Sequence, residues 1–211
     1  MKIRKSRVIG GNTVVVHCDE RFAPQADSLL EVWAGLEGKG KGVAGGVSLR
    51  FGPAFFVLRQ VGTELVVHQP DVQKDPANDL TDDVSSSLWA IAAQMQVGRT
   101  VGALGKGLDF RQKIVIPKDR MRERRLYVRN DGPPAELDSG WSVGTLDGPE
   151  PTAGDFTAVP IYDLFRLRPS LIPLLGLPVG YLAVVDGDEL SSIANEKDEE
   201  VWSSHSGIRQ S

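Results

Sequence analysis

The chain has 211 residues, with 24 Lys and Arg against 28 Asp and Glu, a formal net charge of −4 and 41% hydrophobic residues. The composition is ordinary for a globular protein, and the length predicts one large or two small domains. A single cysteine excludes an intramolecular disulfide framework, and one Cys with three His excludes a four-ligand Cys/His zinc site.

The first hundred residues contain patterns typical of both strands and helices. Residues 13–18 are mostly β-branched and predict a buried strand. Apolar residues at helical spacing over residues 29–36 predict an amphipathic helix that ends at Gly38. Asp83 caps a second predicted helix, which extends to residue 97. Between the two helices, glycine turns separate three β-rich runs and predict an antiparallel meander over residues 47–51, 54–60 and 64–68.

The second half begins with a Gly-rich segment, residues 98–107, which predicts a domain boundary. A short helix is expected over residues 161–167, and Pro173 limits residues 171–175 to a single turn. From residue 191 the chain is rich in Ser, Glu, Asp and Lys, which predicts a tail with little regular structure. Strand patterns occur at residues 113–116, 126–129 and 179–185.

Together these elements predict an α+β protein made of two small α+β units with mainly antiparallel sheets. We expect an N-terminal α+β domain over residues 1–106 and a second α+β domain over residues 107–190. Residues 191–211 are expected to form an acidic, flexible tail.

The small net charge conceals a strong asymmetry along the chain. Residues 111–129 carry eight basic and two acidic side chains, whereas residues 131–200 carry fourteen acidic and three basic ones. One interpretation is that the acidic half attracts a basic partner and accelerates encounter. The other is that these acids fold back on the basic run and form an ordinary solvated surface.

The basic run does not predict direct binding of nucleic acid. Tyr127 is the one aromatic residue among its cations, whereas single-strand binding proteins interleave several aromatic side chains with basic ones. The acidic stretch that follows would also repel phosphate groups.

The sequence contains no assembled set of catalytic residues. Residues 40–45 match G-x-G-x-x-G, but they lie between a predicted helix and a strand, the reverse of the order in dinucleotide sites. His17 and Cys18 are adjacent in a predicted strand, so their side chains point to opposite faces. We therefore expect a protein that works by binding, with no cofactor and no metal. An enzyme would require His17, His68 or a pair of carboxylates to converge in a pocket.

The apolar stretches are far shorter than the roughly 20 residues that span a bilayer. The basic residues at the start are not followed by the apolar region of a signal peptide. We therefore expect no membrane segment and a cytoplasmic location.

A series of short motifs in the second half resembles a bacterial immunity-protein family, the thirty-third immunity class, over roughly residues 112–190. The matching residues are Asp138-Ser139-Gly140-Trp141, Ile172-Pro173-Leu174-Leu175, Pro178-Val179-Gly180 and the strand to Asp186. Family members follow Gly-Trp with an aromatic residue and a dense acidic run. Here residues 142–145 are uncharged and the acids are spread from Asp147 to Asp155. If these acids bind the partner, the interface of this chain is placed differently from that of other members.

The resemblance implies a protein that binds and neutralises a toxin delivered between bacteria, as in polymorphic-toxin or type VI secretion systems. An acidic face would suit a nuclease toxin, whose basic groove binds phosphates. The competing hypothesis is a non-catalytic regulatory or scaffold domain that binds another protein. The candidate partner-binding residues are the acids of this half and one tryptophan: Asp138, Trp141, Asp147, Glu150, Asp155, Asp186, Asp188 and Glu189.

Overall fold

The computed structural model describes residues 1–105, 108–148 and 152–204. The chain folds into two compact units, of which the first comprises Met1–Ala92 and the second begins at Ala93. Each unit contains one β-sheet together with helices, and both sheets are mainly antiparallel. The predicted α+β class is therefore confirmed. The domain boundary predicted at residue 106 stays a prediction.

The first unit is built on a sheet of strand order β1-β2-β5-β4-β3, in which β6 also pairs with β5. All pairs are antiparallel except β2 with β5. The two helices of this part of the chain are α1 (Ala23–Gly38) and α2 (Ser85–Val101), and α2 continues into the second unit. The strands are β1 (Lys2–Ile9), β2 (Asn12–Asp19), β3 (Ser48–Phe51), β4 (Ala54–Val61), β5 (Glu64–Pro70) and β6 (Leu80–Thr81).

The predicted strand, meander and helices of this unit are all present, with different ends. Helix α1 begins at Ala23, because Pro24 in its first turn has the φ angle of a helix and needs no amide hydrogen bond. Helix α2 continues past Gly98 to Val101, so the Gly-rich segment starts inside a helix.

Strand β1 was not predicted, because its sequence lacks an apolar face. It is an edge strand whose side chains are mostly exposed, and its cations pair with acids of neighbouring elements. Lys5 lies 2.9 Å from Asp27 of α1, and Arg7 pairs with Glu31 of the same helix. Basic side chains protect an edge strand from pairing with other chains.

The second unit contains a seven-stranded sheet of order β10-β7-β9-β8-β11-β12-β13. Its pairs are antiparallel except β7 with β9. The helical segments after α2 are α3 (Leu164–Leu167), two short 3-10 turns, Ala153–Asp155 and Ile161–Asp163, and a longer segment, Pro169–Gly176, which we call the 3-10 helix. The strands are β7 (Lys113–Pro117), β8 (Arg125–Asn130), β9 (Asp138–Thr145), β10 (Phe156–Pro160), β11 (Leu182–Asp186), β12 (Glu189–Ala194) and β13 (Glu200–Ser203).

Four strands of this sheet lie outside the strand patterns of the sequence. Strands β9 and β10 lie where no strand was expected, and most of β12 and all of β13 lie in the expected flexible tail. In the two tail strands only Ile193 is buried, so local apolar periodicity is weak. Main-chain pairing of β12 with β11, and of Trp202 with Ile193, orders them.

Among the described residues, no helix is both long enough and apolar enough to cross a membrane.

Candidate functional site

The D-S-G-W motif forms a tight bend at the start of β9. The Asp138 carboxylate accepts a hydrogen bond from the Gly140 amide at 2.8 Å. The Ser139 hydroxyl donates to the Lys113 carbonyl at 2.6 Å and accepts from the Trp141 amide at 3.2 Å. Gly140 has a φ of +74°, and a Cβ atom there would lie 2.2 Å from the carbonyl carbon of Gly132. The bend places the Trp141 side chain in the interior, where it is 2% exposed.

The second motif, over the 3-10 helix and the residues after it, is held by Asn130 at the end of β8. The Asn130 side chain donates to the Leu177 carbonyl at 3.2 Å, and its main-chain carbonyl accepts from the Gly180 amide at 2.7 Å. Asn130 also pairs with Trp141 across the β8–β9 ladder. One buried amide thus connects two sequence motifs that are more than thirty residues apart.

The two motifs enclose one cavity of about 530 Å³, which we call the motif cavity. Ser139, Trp141, Leu175, Pro178 and Val179 of the motifs all face it. The other described residues that line it are Leu104, Gly105, Leu108, Gln112, Asn130, Pro133 and Leu177. Pockets of this size and mainly apolar lining are typical of binding sites.

The polar side chains of the motif cavity already have main-chain partners. The Asn130 side-chain oxygen accepts from the Gly132 amide at 3.1 Å, and Gln112 donates to the carbonyls of Glu136 and Asp138. The Ser139 hydroxyl also both donates and accepts a main-chain hydrogen bond. These polar groups therefore have hydrogen-bond partners without a ligand. The cavity is therefore suited to an apolar group.

The structure pairs three of the predicted partner-binding acids with arginines. Asp147 lies 3.4 Å from Arg125, and Asp186 forms a two-nitrogen contact with Arg124, one arm of which is 3.3 Å long. Asp188 lies 3.2 Å from the guanidinium of Arg168 and accepts from the Ser170 hydroxyl at 3.1 Å. The arginines at Asp147 and Asp186 belong to the predicted basic run, so part of the acidic half does fold back on it.

The remaining predicted residues lie on different elements, and Glu189 pairs with Asp186 across the β11–β12 ladder. Asp155 accepts hydrogen bonds from the amide and hydroxyl of Thr152, and these bonds hold the pKa of Asp155 below its usual range. Glu189 is exposed at the start of β12 and forms no ion pair with a described residue. Glu150 lies outside the described residues. Among the seven described residues, Asp186 and Glu189 are neighbours whereas Trp141 is buried in the cavity wall, and the role of all eight in binding stays a prediction.

Comparison with protein families matches residues 93–203 to the Imm33-like domain. This range covers more than half of the chain and includes both motifs and the whole seven-stranded sheet. The chain belongs to the Imm33-like domain family. Neither a curated protein nor a solved structure matches it.

Within the Imm33-like domain, sequence reasoning missed a second group of acids. The loop between β12 and β13 and the first residue of β13 carry Glu196, Asp198, Glu199 and Glu200 with one cation, Lys197, and we call residues 196–200 the acidic tip. These five side chains form no ion pair with any residue that the structure describes. Their density in the sequence was visible, but it was assigned to a tail rather than to an ordered turn.

The part of the chain before the Imm33-like domain contains the groups that could have supported an enzyme. His17 contacts Asp82 at 2.9 Å, but both side chains lie on the surface, and His68 binds the Val66 carbonyl. Cys18 is fully buried, and burial raises the pKa of its thiol, which disfavours the reactive thiolate. In the described ranges, no cluster of three or more His, Cys, Asp or Glu side chains is arranged to hold a metal ion.

Proposed function

We propose that this Imm33-like protein is an immunity protein that binds a cognate secreted antibacterial toxin and neutralises it in the cytoplasm. The observation that carries the proposal is the match of the Imm33-like domain to residues 93–203. The ordered motif cavity, whose wall is built by the family-like motifs, supports a role in binding.

The experiment is co-expression of this chain with the product of the neighbouring toxin gene in a sensitive bacterium. We expect growth to be restored and the two proteins to purify together. Loss of growth despite expression of the folded chain, with no complex recovered, would contradict the proposal.

We further propose that the toxin is a type VI secretion effector and that it is a nuclease. The nuclease assignment is supported by the fourteen acids of residues 131–200, because an acidic inhibitor complements a phosphate-binding groove. Cells that express the toxin alone should then lose DNA or RNA integrity. Intact nucleic acid in dying cells would contradict the nuclease assignment without affecting neutralisation.

The delivery route has a separate test. A recipient strain that lacks this gene should be killed by its parent, and killing should disappear when the parent's type VI apparatus is inactivated. Killing that persists would contradict type VI delivery.

The second candidate function is a non-catalytic regulatory or scaffold domain. It is favoured by the internal pairing of Asp147 and Asp186 with arginines, since paired acids attract a basic partner only weakly. For any partner recovered, affinity that does not change with salt would support this function over electrostatic capture.

A further inference from the structure

We propose that the motif cavity receives an apolar side chain of the toxin, presented by a segment that also carries basic residues. This inference rests on the proposed function, because it specifies the toxin surface that the immunity protein recognises.

The motif cavity is open to solvent and mainly apolar. Two large apolar side chains stand at its mouth in solvent, Leu104 at 57% and Val179 at 56% exposure, while Trp141 forms a buried wall behind them. Because the polar side chains of the wall are bonded to the main chain, only an apolar occupant avoids leaving a polar group unpaired. A concave apolar site of this kind is where binding hot spots concentrate.

Negatively charged side chains border the mouth of the motif cavity. A Cβ atom at Gly180 would lie 2.5 Å from the Cβ of Glu196, so the acidic tip lies directly beside Val179 of the cavity. Glu136 stands on another side, where its carbonyl accepts from Gln112 of the cavity wall at 3.2 Å. Neither glutamate forms an ion pair with a described residue. Basic residues of the toxin on either side of its apolar side chain would complement these carboxylates.

Most of the other described acids of the Imm33-like domain offer less attraction, because arginines pair with them. Seven have such a partner, in the pairs Asp109–Arg111, Glu123–Arg120, Asp131–Arg129, Asp147–Arg125, Asp163–Arg166, Asp186–Arg124 and Asp188–Arg168. The acidic tip concentrates four acids that have no arginine partner among the described residues, and it lies next to Val179 of the cavity, so it attracts a basic partner there.

The experiment measures binding of the full chain to a catalytically inactive variant of the neighbouring toxin by calorimetry. Val179→Trp fills the cavity mouth with an indole, and Val61→Trp is the matched control at a valine of similar exposure, 53%, in the first unit. The triple variant Glu196→Gln, Asp198→Asn and Glu200→Gln removes three charges from the acidic tip. Its control removes three charges from cation-paired positions of the first unit by Asp27→Asn, Glu31→Gln and Glu64→Gln.

We expect Val179→Trp to weaken binding at least about 30-fold, as loss of a hot spot does. The acidic-tip variant should bind about 10-fold more weakly at low salt and lose most of its salt dependence, because charge complementarity acts mainly on encounter. Both controls should remain within about threefold of the natural chain, as expected for positions outside the interface core.

The possible failures are distinguishable. If the natural chain itself does not bind the toxin, the proposed function fails and the inference fails with it. If the natural chain binds but Val179→Trp and the acidic-tip variant bind equally well, the inference alone is overturned. Should Val179→Trp not fold, as judged by its melting curve, the exposed acidic-tip variant and its control decide the outcome.

Discussion

Gly140 shows how one residue in a motif determines the position of another. Its positive φ of 74° and its close approach to the backbone of Gly132 let the chain bend immediately before Trp141. The bend places the indole in the cavity wall, where Asn130 of β8 lies opposite it. The D-S-G-W motif thus shapes the cavity by placing Trp141 in its wall.

We expect Gly140→Ala to lower the free energy of unfolding by about 3 kcal/mol or more. An alanine at a positive φ is strained, and its Cβ would also clash with the backbone of Gly132, and the two costs add. The matched control is Gly187→Ala, where φ is +63° but no atom lies within 4 Å of the added Cβ. The control should lose only about 1–2 kcal/mol from strain. Urea denaturation of both variants measures the difference, and equal losses would show that the Gly132 contact is unimportant.

At the scale of elements, the start of α2 depends on one carboxylate. Asp83 accepts a hydrogen bond from the amide of Ser85, the first residue of the helix, at 3.1 Å, and from the Lys2 ammonium at 2.9 Å. Burial alone would raise the pKa of Asp83, but the hydrogen bonds from Ser85 and Lys2 outweigh it and hold the pKa below its ordinary value of 3.8. The charged form therefore stabilises the folded chain.

We expect Asp83→Ala to cost about 0.5–2 kcal/mol near neutral pH, the usual loss for a helix cap. Because the pKa of Asp83 is lowered by folding, its stabilisation is complete above 3.8 and is lost as the pH falls through the folded-state pKa. The difference in stability between the natural chain and the variant should thus shrink in acid. Asp83→Asn keeps the cap acceptor, so it should cost less and remove this pH dependence. Denaturation at several pH values measures the stability of both variants. If the stability difference between the natural chain and Asp83→Ala grew in acid, the predicted direction of the pH dependence would be wrong.

At the scale of the whole molecule, fragments can test where the second unit begins in the sequence. The Gln94 side chain in α2 donates to the Ile172 carbonyl at 3.0 Å, and the Gly105 amide donates to the Gly176 carbonyl at 2.7 Å. Both residues precede the domain boundary predicted at residue 106, yet both are bonded to the 3-10 helix of the Imm33-like domain.

We therefore expect a fragment of residues 85–204, which keeps α2 complete, to unfold cooperatively. A fragment of residues 107–204 should be less stable, since it lacks both hydrogen-bond donors to the 3-10 helix, each of which contributes about 0.5–1.5 kcal/mol. Calorimetric melting of the two fragments makes the comparison. Equal stability would support the boundary at residue 106.

The sequence by itself determined the α+β class, the helices, the meander and the family-like motifs, because apolar periodicity, glycine turns and proline act over a few neighbouring residues. It could not determine β1, β10, β12 or β13, each of which buries at most one side chain, nor β9, where Ser and Gly interrupt the buried face of Trp141 and Val143. Main-chain pairing orders these strands. Only the tertiary structure decided which acids are paired, since Arg124 and Asp186 are 62 positions apart. The same holds for the motif cavity, which exists because Asn130 connects two distant motifs. Sequence patterns over neighbouring residues thus identify most of the helices, several strands and the family. Ion pairs and cavities instead join residues that are far apart in the sequence, so they are known only from the folded structure.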